Sequence, residues 1–175
     1  MPRQAYTWRH GADSQRRHST GHPPIRPSDK AELSAGLSSL SELSRHRRFL
    51  SPKVSFTTAE LRYLTELDGH DHVALVAHLM DGTGVGVARY VRMPSNAPTA
   101  DVAIVVADSM QGRGLGALMA EMLAAVAARH GIERFSADIL SENVPAQRLM
   151  AHLSVHLERH HDGAGHSALT AGLAA

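Results

Sequence analysis

Hydrophobic residues recur along this chain with two periods, and the change from one to the other divides it. From about residue 30 to residue 69 the apolar positions fall at helical spacing: Leu33, Leu37 and Leu40 share one helix face, a second helical piece reaches about Phe49, and Leu61, Leu64 and Leu67 mark a third. Thr57 followed by Glu60 is a capping-box pair that starts the third helix, and Asp68 with Gly69 ends it. From His72 the apolar residues become nearly continuous. Residues 73–80, a turn at 81–84 and residues 85–93 predict a hairpin. Residues 101–107 predict a further short strand, rich in Val and Ile and covered on both faces.

The helical period then returns. Leu115, Leu118, Met119, Met122, Leu123 and Val126 fall on one side of a helix that ends with Arg129, His130 and Gly131, where cations and glycine suit a C-terminus. Residues 135–140 predict a strand, 143–153 a helix, and 155–158 and 167–171 two weaker strands. A short strand is also expected at Ile25, broken by Pro27, Ser28 and Asp29. The fold class that follows is mixed α/β, with hairpins preceding a single βαβ crossover. Residues 1–22 show no hydrophobic period and are expected to form a flexible arm, leaving residues 23–175 as one domain.

Composition narrows the chemistry more than the fold. At 175 residues the chain can bury a core without disulfides or structural metal, and it has no cysteine, which excludes thiol catalysis and thiolate zinc sites. Eighteen Lys and Arg against seventeen Asp and Glu give a net charge of +1, so no global field argues for nucleic acid or an anionic membrane as partner. No signal-peptide core precedes the domain, and no apolar stretch approaches the roughly 20 residues that span a bilayer, so a cytoplasmic location is expected. The clusters His70, Asp71, His72 and His160, His161, Asp162 lack a complete ligand set and are expected to be solvent-exposed; no metal is predicted. The run Arg45, His46, Arg47, Arg48 is expected to be a solvated helix face.

The chemistry-bearing motif lies between the strand ending at Ala107 and the helix starting near Gly114: Gln111, Gly112, Arg113, Gly114, Leu115, Gly116. Three glycines remove the side chains that would block a pyrophosphate, and a helix start brings unpaired N–H donors and a positive dipole end to the same point. Arg113 offers a charge-assisted contact. A Walker loop would need Gly-Lys-Ser/Thr where Ala117 and Leu118 stand. A dinucleotide site fits Gly112, Gly114 and Ala117, with Asp138 about twenty residues on, but four residues separate strand from glycine and only 35 residues follow Leu140.

Gln-Gly-Arg-Gly-Leu-Gly between strand and helix resembles the Q/R-x-x-G-x-G/A pyrophosphate signature of the GNAT acetyltransferase superfamily, and Asn143, Ala146 and Leu149 resemble the N-x-x-A-x-x-L pattern of its later helix. Residues 72–77, 85–92, 100–106 and 140–150 look like the catalytic domain of bacterial protein lysine acetyltransferases. The resemblance implies acetyl-CoA as cosubstrate, bound by residues 111–117 with Asn143 and Ala146. It also implies a mostly antiparallel sheet with a splayed central pair of strands, and direct transfer of acetyl to an amine.

In similar enzymes a glutamate before the glycine turn is the general base; the matching residue here is Asp101, one methylene shorter, with Glu66, Asp68 and Glu142 as substitutes. A base is useful because a lysine of pKa near 10.4 is neutral in only about one molecule in 2,500 at pH 7. Ile104, Val105 and Val106 are implied to run beside the pantetheine arm, one N–H polarising the thioester carbonyl. Met150 stands where many relatives place a tyrosine acid, so no general acid is named. A protein lysine is the preferred acceptor; a small amine, or a non-catalytic acyl-CoA-binding module, are the alternatives.

Overall fold

The computed structural model describes residues 25–95, 98–161 and 163–174, together with the backbone of residues 7–10. Its elements are, in order, β1 (Thr7–His10), α1 (Lys30–Ser39), α2 (Glu42–Phe49), α3 (Thr58–Thr65), β2 (His72–His78), β3 (Gly84–Arg92), β4 (Thr99–Val106), α4 (Leu115–Arg129), β5 (Arg134–Leu140), α5 (Val144–Leu153), β6 (Ser154–His161) and β7 (His166–Leu173). The strands form one sheet in the order β1-β2-β3-β4-β5-β7-β6. Every adjacent pair is antiparallel except β4 and β5, the parallel pair that α4 connects. This is the mixed α/β architecture expected from the sequence, but with two crossovers rather than one: β4-α4-β5, and β5-α5-β6, in which β6 runs parallel to β5 with β7 between them.

Alternation along the strands sorts the core onto two faces. On one, Leu115, Met119, Leu123 and Val126 of α4 pack against Val73, Leu75, Ala88, Tyr90 and Phe135. Each such side chain contributes about 1.5–3 kcal/mol on burial. Leu118 departs from the expected stripe and is 40% exposed. On the other face Ile25, Ala74 and Val76 are buried with Leu33, Leu67 and Val87, beneath the helical first third. Thr57 and Glu60 form the predicted capping box: Thr57 N–H donates to Glu60 Oε2 at 2.7 Å, and Glu60 N–H to Thr57 Oγ1 at 3.2 Å.

Several expectations are corrected. Four residues of the arm expected over 1–22 form β1, paired with β2 from Thr7↔His78 to His10↔Leu75; the rest of that range lies outside the described residues. Their sequence, TWRH, carries no alternation that would reveal a strand. Ile25 forms no strand: Arg26 is extended before a 3-10 turn at Pro27–Asp29, and Ile25 acts through its buried side chain. α3 stops at Thr65 rather than Leu67, because Asp68 Oδ1 accepts the N–H groups of His70, Asp71 and His72, each at 2.8 Å, and turns the chain toward β2. The last two strands are eight residues each, and β4 is half-open rather than covered on both faces.

Candidate active site

β4 and β5 are paired over only three positions, Thr99↔Arg134, Ala100↔Phe135 and Asp101↔Ser136. Beyond these, β5 continues its ladder with β7 while residues 102–106 of β4 keep only β3. The two central strands therefore part like a fork, with Asp101 at its base. Into the fork opens a cleft of about 440 Å³ lined by Ile104, Val105 and Val106, by Gln111, Gly112, Gly114, Gly116 and Ala117, and by Asn143, Pro145, Ala146, Arg148 and Leu149 of α5 and its cap. Ser44, Arg47 and Arg48 of α2 close it from the other side.

The glycine turn shapes one wall through its backbone. Gly112 at φ 69° and Gly114 at φ 85° occupy the left-handed region, which costs other residues roughly 1–2 kcal/mol. Gly114 is the N-cap of α4, and Leu118 N–H is the first to find a backbone partner there, the Gly114 carbonyl at 3.1 Å. Among the described residues, the N–H groups of 112–117 make no hydrogen bond to the protein. Unpaired donors at the positive end of a 15-residue helix have the chemistry that suits an anion.

Side chains around the turn fix it in place. Asp108 accepts from Ser41 N–H at 2.8 Å, from Ser41 Oγ at 2.7 Å and from Ser44 Oγ at 2.7 Å, so the start of α2 is tied to the start of the turn. Gln111 Nε2 donates to Ser44 Oγ at 3.0 Å and to the Val106 carbonyl at 3.1 Å, so its amide braces the cleft. Arg113 lies with Nη1 3.4 Å from Met110 Sδ, outside the cleft lining, and Leu115 turns its side chain into the core. Asn143 is buried and caps α5, its Oδ1 accepting from Ala146 N–H at 3.3 Å.

Asp101 faces the same side of the sheet as Ala103 and Val105, two and four residues on. Asp101 is exposed at the base of the fork, yet the protein around it withdraws enough solvent to raise its pKa above the usual aspartate value; the Arg48 charge opposes that rise and Asp138 adds to it. The arginine run was the residue set misread from sequence. Arg47 and Arg48 are half-buried and line the cleft, and burial lowers the pKa of Arg48. Their orientation follows from how α2 docks, for which only the Ser41/Ser44 pair gives a hint. His72, expected in solvent, is buried and 3.1 Å from Arg89 Nη1; burial and that guanidinium depress its pKa to about 4, so it is the neutral acceptor. His70 and His160 are exposed as expected, and Asp162 lies outside the described residues.

The fork and the unpaired helix start match the acyltransferase fold that the sequence resemblance implied. Residues 40–154 match the acetyltransferase (GNAT) family, and the chain belongs to it. It is 35% identical over 131 residues to the acetyltransferase Pat of Mycolicibacterium smegmatis, covering 74% of this chain but only 39% of that relative's length. The GNAT domain of a Streptomyces lividans PAT superposes with a TM-score of 0.76 at 28% identity, covering 85% of this chain and 88% of that one. A Salmonella typhimurium protein described with its cofactor acetyl-CoA shares the fold, with a TM-score of 0.69, 18% identity, and coverage of 97% and 93%.

Proposed function

We propose that the enzyme transfers acetyl from acetyl-CoA directly to an amine, a protein lysine in preference. The observation that carries the reading is the row of unpaired N–H groups at residues 112–117, opening on the fork at whose base Asp101 stands. Those N–H groups suit the coenzyme diphosphate. Arg47 and Arg148 on the same cleft supply positive charge. The β5-facing edge of residues 104–106, without a ladder partner, suits the amides of the pantetheine arm and presents an N–H to the thioester oxygen.

The amine lone pair attacks the thioester carbonyl carbon, and the ammonium proton of the adduct passes to the Asp101 carboxylate, through one water to span the shorter side chain. Collapse breaks the carbon–sulfur bond. CoA leaves as a thiolate, whose conjugate acid near 8.5 lets it depart without a dedicated donor and then take its proton from solvent. A carboxyl whose pKa is raised by desolvation is a better proton acceptor for this step than an ordinary aspartate.

Calorimetric titration with acetyl-CoA tests the cofactor site, and incubation with acetyl-CoA and candidate acceptors, read by free CoA and by mass spectrometry of lysines, tests transfer. Absence of acetyl-CoA binding overturns the reading. Binding without CoA release for any amine leaves an acyl-CoA-binding module, and acetylation of small amines alone moves the acceptor class.

A further inference from the structure

A second cavity lies on the sheet face that Asp101 shares, under α1, α2 and α3. It has a volume of about 100 Å³ and a largely apolar wall that includes Leu33, Leu37, Phe49 and Val87. Arg48 and Val105 line both this chamber and the cofactor cleft, so the two spaces meet beside β4. Two guanidinium groups stand on the chamber wall, those of Arg48 and Arg89, and so do two carboxylates, which are engaged elsewhere: Glu32 lies 2.6 Å from His78 Nε2, and Asp29 accepts from Arg26 N–H at 2.9 Å.

Arg89 is only 5% exposed. Its hydrogen bonds go to uncharged acceptors, His72 Nε2 at 3.1 Å and the Leu64 carbonyl at 3.3 Å. Arg48 rests over the Phe49 ring at 4.9 Å. Among the described residues, neither arginine has a carboxylate within ion-pair distance. Burial, then the nearby Arg48 charge, lowers the pKa of Arg89 to about 10. Asp101 is the carboxylate that acts on Arg48 at longer range, and the mechanism employs it as the base. A desolvated cation without a counterion is costly unless something supplies one.

Register gives the spacing. Arg89 lies opposite Ala103, two residues along β4 from Asp101, which is about 7 Å of strand. Resting on the transferase reading, we propose that this chamber receives a carboxylate carried close to the acceptor amine and held between Arg48 and Arg89. The acceptor is thus an amine that bears or neighbours an acidic group. Bidentate carboxylate recognition is what paired guanidinia do well, and it orients the amine toward Asp101 while giving Arg48 and Arg89 the direct ion-pair partner they lack.

The test compares matched acceptors that differ only by carboxylate against carboxamide. One pair is a lysine peptide with Glu or with Gln beside the lysine; the other is a free ω-amino acid and its amide. The carboxylate member of at least one pair is expected to show about tenfold higher kcat/KM, mainly through KM. A preference confined to the peptide pair assigns the carboxylate to a protein side chain, and one confined to the small pair assigns it to a free amino acid. Arg89→Gln and Arg48→Gln should each bring the ratio near one, and Arg89→Lys should restore part of it. If Arg89→Gln does not fold, Arg48→Gln decides. Equal rates within both pairs in the wild-type enzyme overturn this inference while leaving the transferase reading intact. No transfer to any amine overturns both.

Discussion

Asp101 and Ser136 face each other across the last rung that joins β4 to β5. One residue further, the strands have separated and the cleft begins. A carboxylate at that position is within the sheet's rigid part yet beside its opening, which is where a proton acceptor must be held to reach a bound amine. Asp101→Ala is expected to lower kcat/KM by about 10²–10⁴-fold with acetyl-CoA affinity retained, while Asp101→Glu retains activity because its carboxyl moves forward by about 1.5 Å. Full activity in the alanine variant would remove Asp101 from the mechanism.

The same residue sets a pH dependence. Its pKa is raised, so the carboxyl gains its proton sooner as pH falls, and the basic form is lost at a pH above the ordinary aspartate range. The ascending limb of kcat/KM against pH should therefore lie above that range and be missing in Asp101→Ala. A limb at or below the usual aspartate value contradicts this.

Gly114 holds φ 85° at the cap of α4, and an added Cβ meets no protein atom within 4 Å. The cost of Gly114→Ala is thus conformational, about 1–2 kcal/mol in denaturant unfolding. Because the new methyl also stands among the unpaired N–H groups, acetyl-CoA binding should weaken beyond that of a variant with equal loss of stability elsewhere. Calorimetry on both variants checks it.

His72 is depressed to about 4 by burial and by Arg89, from an unfolded value near 6.5. Between those values the unfolded chain binds the proton and the folded chain does not, so stability is full above about 6.5 and falls as pH drops toward 4. The loss attributable to this residue is on the order of 3 kcal/mol at most. His72→Gln keeps an acceptor for Arg89 without titrating, and should flatten unfolding free energy between pH 7 and 5. An unchanged slope would rule His72 out as its source.

Gly36 lies inside α1, exposed, with nothing within 4 Å of an added Cβ. Gly36→Ala should stabilise the protein by about 0.5–1 kcal/mol, since glycine is a poor helix residue and no contact opposes the methyl. Thermal melting of the two forms gives the comparison.

What could be read from the sequence was local. The glycine turn announces itself because positive φ and a helix start within six residues need glycine at fixed offsets, and α4 and the β2–β3 hairpin announce themselves by period. The role of Arg47 and Arg48 was hidden because a helix face is solvated or buried according to what lies beyond it, and that was decided by Asp108, 64 residues from Ser44. His72 was missed for a related reason: its cluster lacks a complete ligand set and was expected in solvent, whereas the register of β2 turned His72 inward toward Arg89. β1 was invisible since its four residues owe their conformation to the free edge of β2 rather than to any pattern of their own.

The parting of β4 from β5 leaves an unfinished seam in an otherwise continuous sheet. Main-chain groups that neighbouring strands would normally satisfy must be hydrated there until a ligand displaces the water and serves as a surrogate strand. On the proposed reading, the gap in the ladder is also where the coenzyme lies, so a substitution that zipped the two strands together would strengthen the sheet and shut the ligand out.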